Sequence, residues 1–284
     1  MRGGTAGSDP AVRVPAIPAM ATQVRHRELF WPLFAVLIGT AWLALLLGER
    51  SPYGRYLDHG DWIRLGIAAD LCRTLPAGGM VLPALFYAGG WLIMTAAMML
   101  PTTLPLLDIF RRLTRPRSDR SLLLVLLVTG YLAAWGAFGI LAHLASLLLL
   151  GLVRLSPWLT FNGWVIGAAV LVLAGLFQFS ALKHRCLDAC RTPLAFIVVR
   201  WHGIRPRVEA LRLGIAHGLY CVGCCWALML VMLAVGTGSI GWMLLLGMAM
   251  AVEKNLPAGR RLGRPLGAAL IGWALILTAR ELGL

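Results

Sequence analysis

Apolar runs of about 20 residues, each long enough as a helix to cross a hydrocarbon layer of about 30 Å, recur along nearly the whole chain. Inside lipid, backbone polar groups must be satisfied within the protein, which leaves helices and closed barrels. The runs are uninterrupted, unlike the short alternating strands of a membrane barrel, so the expected fold is all-α, a polytopic transmembrane helix bundle. About seven spans are read, at residues 29–47, 80–100, 122–143 or a little beyond, 163–182, 210–235, 240–252 and 266–279, the sixth short. Hydrophobic residues are 59% of the chain and charged residues only 13%, whereas a soluble domain is roughly half apolar and a quarter charged. Little is left for a separate soluble core.

The net charge of +14 raises the question of nucleic acid, and its distribution answers it. Basic residues alternate in blocks. Arg2, Arg13, Arg25 and Arg27 precede the first span, and Arg111, Arg112, Arg115, Arg117 and Arg120 follow the second. Lys183, Arg185, Arg191, Arg200, Arg205 and Arg207 follow the fourth, and Lys254, Arg260, Arg261 and Arg264 the sixth. The intervening loops are poor in cations or balanced by acids. This is the positive-inside pattern; it places the N-terminus in the cytoplasm and implies a multi-pass protein of a bacterial inner membrane, with lipid rather than nucleic acid as its surroundings.

Residues 1–28 lack the apolar core of a cleavable signal and read as a disordered cytoplasmic tail, followed by a single transmembrane domain over 29–284. The first long loop carries Asp58, His59 and Asp61, a hard-cation site or, on the plainer reading, a self-paired polar surface. No repeat is visible, and the pairs Gly163 and Gly167, Gly214 and Gly218 suggest close helix contacts.

The most informative stretch is HGLYCVGCCWALM, residues 217–229, in the fifth span. At 100° per residue, with His217 at zero, Cys221 falls at about +40°, Cys224 at about −20°, Cys225 at about +80° and Met229 at about +120°. His217, Cys221 and Cys224 therefore share a face, with Cys225 and Met229 at its edge. A histidine facing lipid would leave polar groups unpaired, so the stripe implies a bundle interior. Thiolate, thioether and imidazole suit soft metals, Cu(I) first and zinc second, while magnesium and calcium take oxygen. Against this stands ordinary packing, since cysteine and methionine are common core residues, and a redox pair at Cys221 and Cys224 without thioredoxin-like context.

Two further groups support the stripe. Met94 and Met98 in WLIMTAAMMLP, residues 91–101, are one helical turn apart, with Met99 following; they are core filling or a second position for a soft ion. In QFSALKHRCLDACRTP, residues 178–193, a fourth-span helix continued to Pro193 would put Cys186 and Cys190 on one face at the cytoplasmic mouth, as an exchange point or as reduced thiols. Glu253 and Lys254 end the sixth span and read as an interfacial pair.

These motifs, with GYLAAWGAF at residues 130–138, LKHRCLDACRTPLAF at 182–196 and the EK pair at 253–254, resemble a bacterial family of predicted metal-binding integral membrane proteins, catalogued as a domain of unknown function. The resemblance covers about residues 80–256. It implies that Cys186, Cys190, Cys221, Cys224 and Cys225 form one functional unit, and it implies no catalytic activity. The leading expectation is a membrane protein that binds, delivers or transports Cu(I), with a metallochaperone or metalloenzyme as partner. A membrane oxidoreductase or cofactor-assembly factor using thiols or heme is the second, with His143 the one heme partner for His217, and a ligand-free scaffold the third. No nucleotide-binding loop appears, so ATP coupling within the chain is not expected.

Overall fold

The computed structural model describes residues 32–47, 81–235 and 240–283. The tail at 1–28 and the loop bearing Asp58, His59 and Asp61 lie outside them. The chain divides into two units, residues 1–37 and 38–284. Of the first, the described residues are the opening turns of helix α1, Pro32–Leu47. The second holds α2 (Val81–Met98), α3 (Leu104–Leu113), α4 (Arg120–Leu155), α5 (Pro157–Phe161), α6 (Trp164–Phe177), α7 (Ala181–Arg191), α8 (Pro193–Arg200), α9 (Pro206–Val235), α10 (Ile240–Asn255) and α11 (Gly263–Glu281). Short 3₁₀ turns at Pro101–Thr103 and Pro257–Leu262 lead into α3 and α11. The described residues contain no strand, as expected.

Helix α9 is the centre of the unit, packed along α4 and against α6 and α7, while α6 pairs with α11 and α2 with α4. The long α4–α9 contact depends on Gly130, Gly214 and Gly218. A Cβ on Gly218 would stand 2.9 Å from the Tyr131 carbonyl oxygen and one on Gly130 2.9 Å from the Ile215 nitrogen. Backbones this close admit no side chain between them, and their approach sets Tyr131 opposite His217 and Cys221. Gly163 differs from the expectation: it opens α6 with nothing within 4 Å of a Cβ there, so it makes no helix contact. Helix α2 is tied to α4 by the Trp91 indole, which donates to the Trp135 carbonyl at 3.0 Å.

Among the described residues, three helices are long and apolar enough to span a bilayer, over Arg120–Val153, Pro206–Met232 and Pro257–Glu281, or up to five if each of two bent pairs counts as one. The expected second and fourth spans are the bent ones. The second breaks after Met98 and turns by 47° into Pro101–Leu113, because Pro101 has no N–H to continue the ladder. The Thr102 and Thr103 hydroxyls donate to the carbonyls of Met99 and Leu100, each at 2.7 Å. The fourth stops at Phe177, tightens through i to i+3 bonds at Gln178, Phe179 and Ser180, and restarts 63° away at Ala181. The Ser180 hydroxyl caps the new helix by accepting from the Lys183 amide. Cys186 and Cys190 therefore do share a helix, but one turned aside from the span before it.

The interior and exterior differ in kind. Facing inward, among leucines and aromatics such as Leu107, Phe110 and Trp135, are the sulfur-containing and polar residues. Facing outward on α4, α10 and α11 are large aliphatic side chains such as Leu141, Leu148, Leu245, Met248, Leu275 and Ile276, each more than half exposed.

Candidate functional site

Cys221, wholly buried on α9, is the hub of the polar interior. Its Sγ lies 3.0 Å from the Tyr131 hydroxyl and 2.9 Å from Lys254 Nζ. The Tyr131 hydroxyl also donates to the Met99 carbonyl at 3.3 Å, and Lys254 Nζ reaches Thr102 Oγ1 at 3.3 Å and Met99 Sδ at 3.7 Å. Four segments thus converge: α4 through Tyr131, α9 through Cys221, the end of α10 through Lys254, and the bend after α2 through Met99 and Thr102. The bend is what delivers Met99. Both the Met99 and the Leu100 amides bond to the Thr95 carbonyl, so the helix closes there and its last residues turn inward.

The other sulfurs continue from this hub. Cys224 Sγ donates to the Cys221 carbonyl at 3.2 Å and lies 3.2 Å from Cys225 Sγ. On α7, the half-buried Cys190 lies one helical turn beyond the buried Cys186, on the helix that packs against α9. Cys186 packs on Gly223, where a Cβ would come within 2.6 Å of its Sγ. All five of these cysteines are free thiols. His217 is buried one turn before Cys221, its ring between Phe196 at 5.5 Å and Tyr131 at 5.9 Å, and its Nδ1 has no hydrogen-bond partner. Met229 is fully buried two turns beyond Cys221. Among the described residues, no three His, Cys, Asp or Glu side chains form a group that could hold a metal ion.

Met94 and Met98 are buried on α2, but Met98 faces position 247 of α10, 3.5 Å from where a Cβ would stand. The methionine that reaches the cysteine hub is Met99. His143 lies twelve residues beyond Tyr131 on α4, about 18 Å further along the axis at 1.5 Å per residue, so it does not sit level with His217 as a second heme ligand would.

Glu253 and Lys254 correct the expected interfacial pair: both are buried and each has a different partner. Glu253 receives Lys183 Nζ at 2.6 and 2.9 Å, and the same ammonium bonds the Gln178 side-chain oxygen. Arg191 donates to the carbonyls of Glu253 and Pro257, which fixes the end of α10. Lys254, Tyr131, Thr102 and Met99 are the residues that motif reading left out of the site. Its signal was present, in a lysine ending an apolar run and a tyrosine in a glycine-rich one, but pairing them requires the fold.

Residues 88–277 match a family model described as PpoB2, copper chaperone. The chain belongs to that family. The match runs from α2 into α11, so it includes every side chain of the sulfur hub and extends beyond residue 256, where the motif resemblance ended. No curated protein and no solved structure matches the chain. For a PpoB2 copper chaperone the metal is cargo, and the donors fit it: thiol and thioether sulfur in a dry interior select copper over the hard cations.

Proposed function

We propose that this protein is a multi-pass copper chaperone of a bacterial inner membrane that carries copper as Cu(I) and hands it to a copper-requiring enzyme. The observation that carries the reading is the cluster of buried free thiols at Cys221, Cys224 and Cys225, with Cys186 of α7 packed against the same helix at Gly223. A soft ion exchanges between neighbouring sulfurs one ligand at a time, so it is never bare in an apolar medium. Cys190 and Cys186 serve as the exchange point nearer the surface, while Cys221, Cys224, Cys225, His217 and Met229 offer successive interior positions to the ion, fewer than three of the His and Cys side chains holding it at once. The unpartnered Nδ1 of His217 leaves an imidazole nitrogen available to the ion. Met94 and Met98 offer a second, weaker position along α2.

The membrane assignment is supported by the long apolar helices, by their aliphatic exteriors and by the alternating basic blocks, whose positive-inside reading is a cytoplasmic N-terminus. Alkaline carbonate washing should leave the protein in the membrane pellet; release into the supernatant would refute an integral protein. The function is tested by competition titration of the detergent-solubilised protein with a chromophoric Cu(I) chelator. Wild type should retain near-stoichiometric copper, and the Cys221→Ser, Cys224→Ser, Cys225→Ser triple variant should lose it. Met94→Leu with Met98→Leu should weaken binding less. Equal copper in wild type and triple variant would refute the reading, and zinc in its place would redirect it.

A further inference from the structure

Lys254 places a cation between two sulfurs. Its Nζ is 2.9 Å from Cys221 Sγ and 3.7 Å from Met99 Sδ, and its one oxygen neighbour among these contacts is Thr102 Oγ1 at 3.3 Å. An ammonium is a compact, strongly hydrated charge that does best against oxygen. The carboxylate next to it in sequence, Glu253, is already engaged by Lys183. Cysteine and thioether sulfur converging on one buried point are softer acceptors than the oxygen an ammonium does best against, and good ligands for a soft monovalent metal.

We propose that Cys221 and Met99 form a Cu(I) position whose resting occupant is the Lys254 ammonium, and that the ion enters by displacing it. The inference rests on the copper reading above and adds a ligand, Met99, and a built-in competitor, Lys254. Cysteine binds metal as thiolate, so the Cys221 sulfur faces one positive charge with the ammonium in place and again with the ion in place, while the displaced ammonium keeps its own charge beside the Thr102 hydroxyl. Two sulfur–copper bonds form as the ion's bonds to the sulfur ligands that deliver it break, the N–H contacts to the two sulfurs are given up, and no electron is transferred. The four-carbon lysine stem lets Nζ withdraw while keeping the Thr102 hydroxyl as partner. The lysine also supplies the means of release: its return to Cys221 expels the ion toward the next acceptor without leaving a charged sulfur unpaired in the interior.

The test is Cu(I) competition titration on the full-length protein in detergent, with X-ray absorption at the copper edge counting sulfur ligands. Lys254→Met should tighten binding about tenfold, since one charge-assisted hydrogen bond no longer has to be broken. Met99→Leu should weaken it by a similar factor and remove one sulfur from the copper environment. Lys254→Gln, uncharged but still able to hydrogen-bond, should tighten binding too and carries the test if the methionine variant does not fold. Affinity unchanged or weakened in the lysine variants overturns the competitor role, and an unchanged sulfur count in Met99→Leu overturns the ligand role. Wild type that binds no copper overturns the proposed function itself, an outcome distinct from either.

Discussion

Two lysines are buried in this protein, and their surroundings are opposites. Lys183 is held by both oxygens of Glu253 and by the Gln178 side chain, all hard acceptors at hydrogen-bonding distance. Lys254 has two sulfurs and a threonine hydroxyl. Glu253 and Lys254 are consecutive on α10, so their side chains leave the axis about 100° apart and serve different clusters. A fully satisfied ion pair fixes a helix end. A cation left against sulfur is poised to be exchanged. The comparison separates what holds the site in register from what works in it.

The largest effect should come from breaking the hard pair. Lys183→Met strands the Glu253 carboxylate in the interior, and losing one partner of a buried pair costs about 3–5 kcal/mol. The expected outcome is little folded protein, or a strongly lowered unfolding temperature in detergent. Lys183→Met combined with Glu253→Leu should recover much of the loss, because no unpaired charge remains. Lys254→Met should leave the unfolding temperature close to that of wild type or above it. If Lys254→Met proved the more damaging of the two, the assignment of fixed and exchangeable lysines would be reversed.

The difference between the two lysines also marks how far the sequence could be read. The length and composition of uninterrupted apolar runs identify α4, α9 and α11, because both can be read from the sequence without the fold. The stripe from His217 to Cys225 was legible because four of its positions recur at helical spacing on a single segment. Residues 80–100 and 163–182 read as straight spans, since hydropathy is blind to a bend made by Pro101 or by a capping Ser180. The bend is what brings in Met99 rather than Met94 or Met98. Glu253 and Lys254 read as a pair because adjacency in sequence is visible, whereas the partners at positions 183 and 221 lie 70 and 33 residues away. Composition shows that polar groups are buried; only the packing of α4 and α9 across their glycines shows against what.

The smallest effect, and the finest probe of the soft cluster, lies at Tyr131. Its hydroxyl touches the Cys221 sulfur at 3.0 Å and the Met99 carbonyl at 3.3 Å, so it links the two proposed ligands without being one. Tyr131→Phe removes the oxygen and keeps the ring that packs beside His217. Stability should fall by about 1 kcal/mol, the usual net value of one hydrogen bond. Copper affinity should drop only a few-fold, with the sulfur count at the metal unchanged, because the ligands remain and only their alignment loosens. A loss as deep as that of Cys221→Ser would make the phenol oxygen a ligand in its own right, and the soft cluster would then be a mixed oxygen and sulfur site, closer in character to the surroundings of Lys183 than the two lysines suggest.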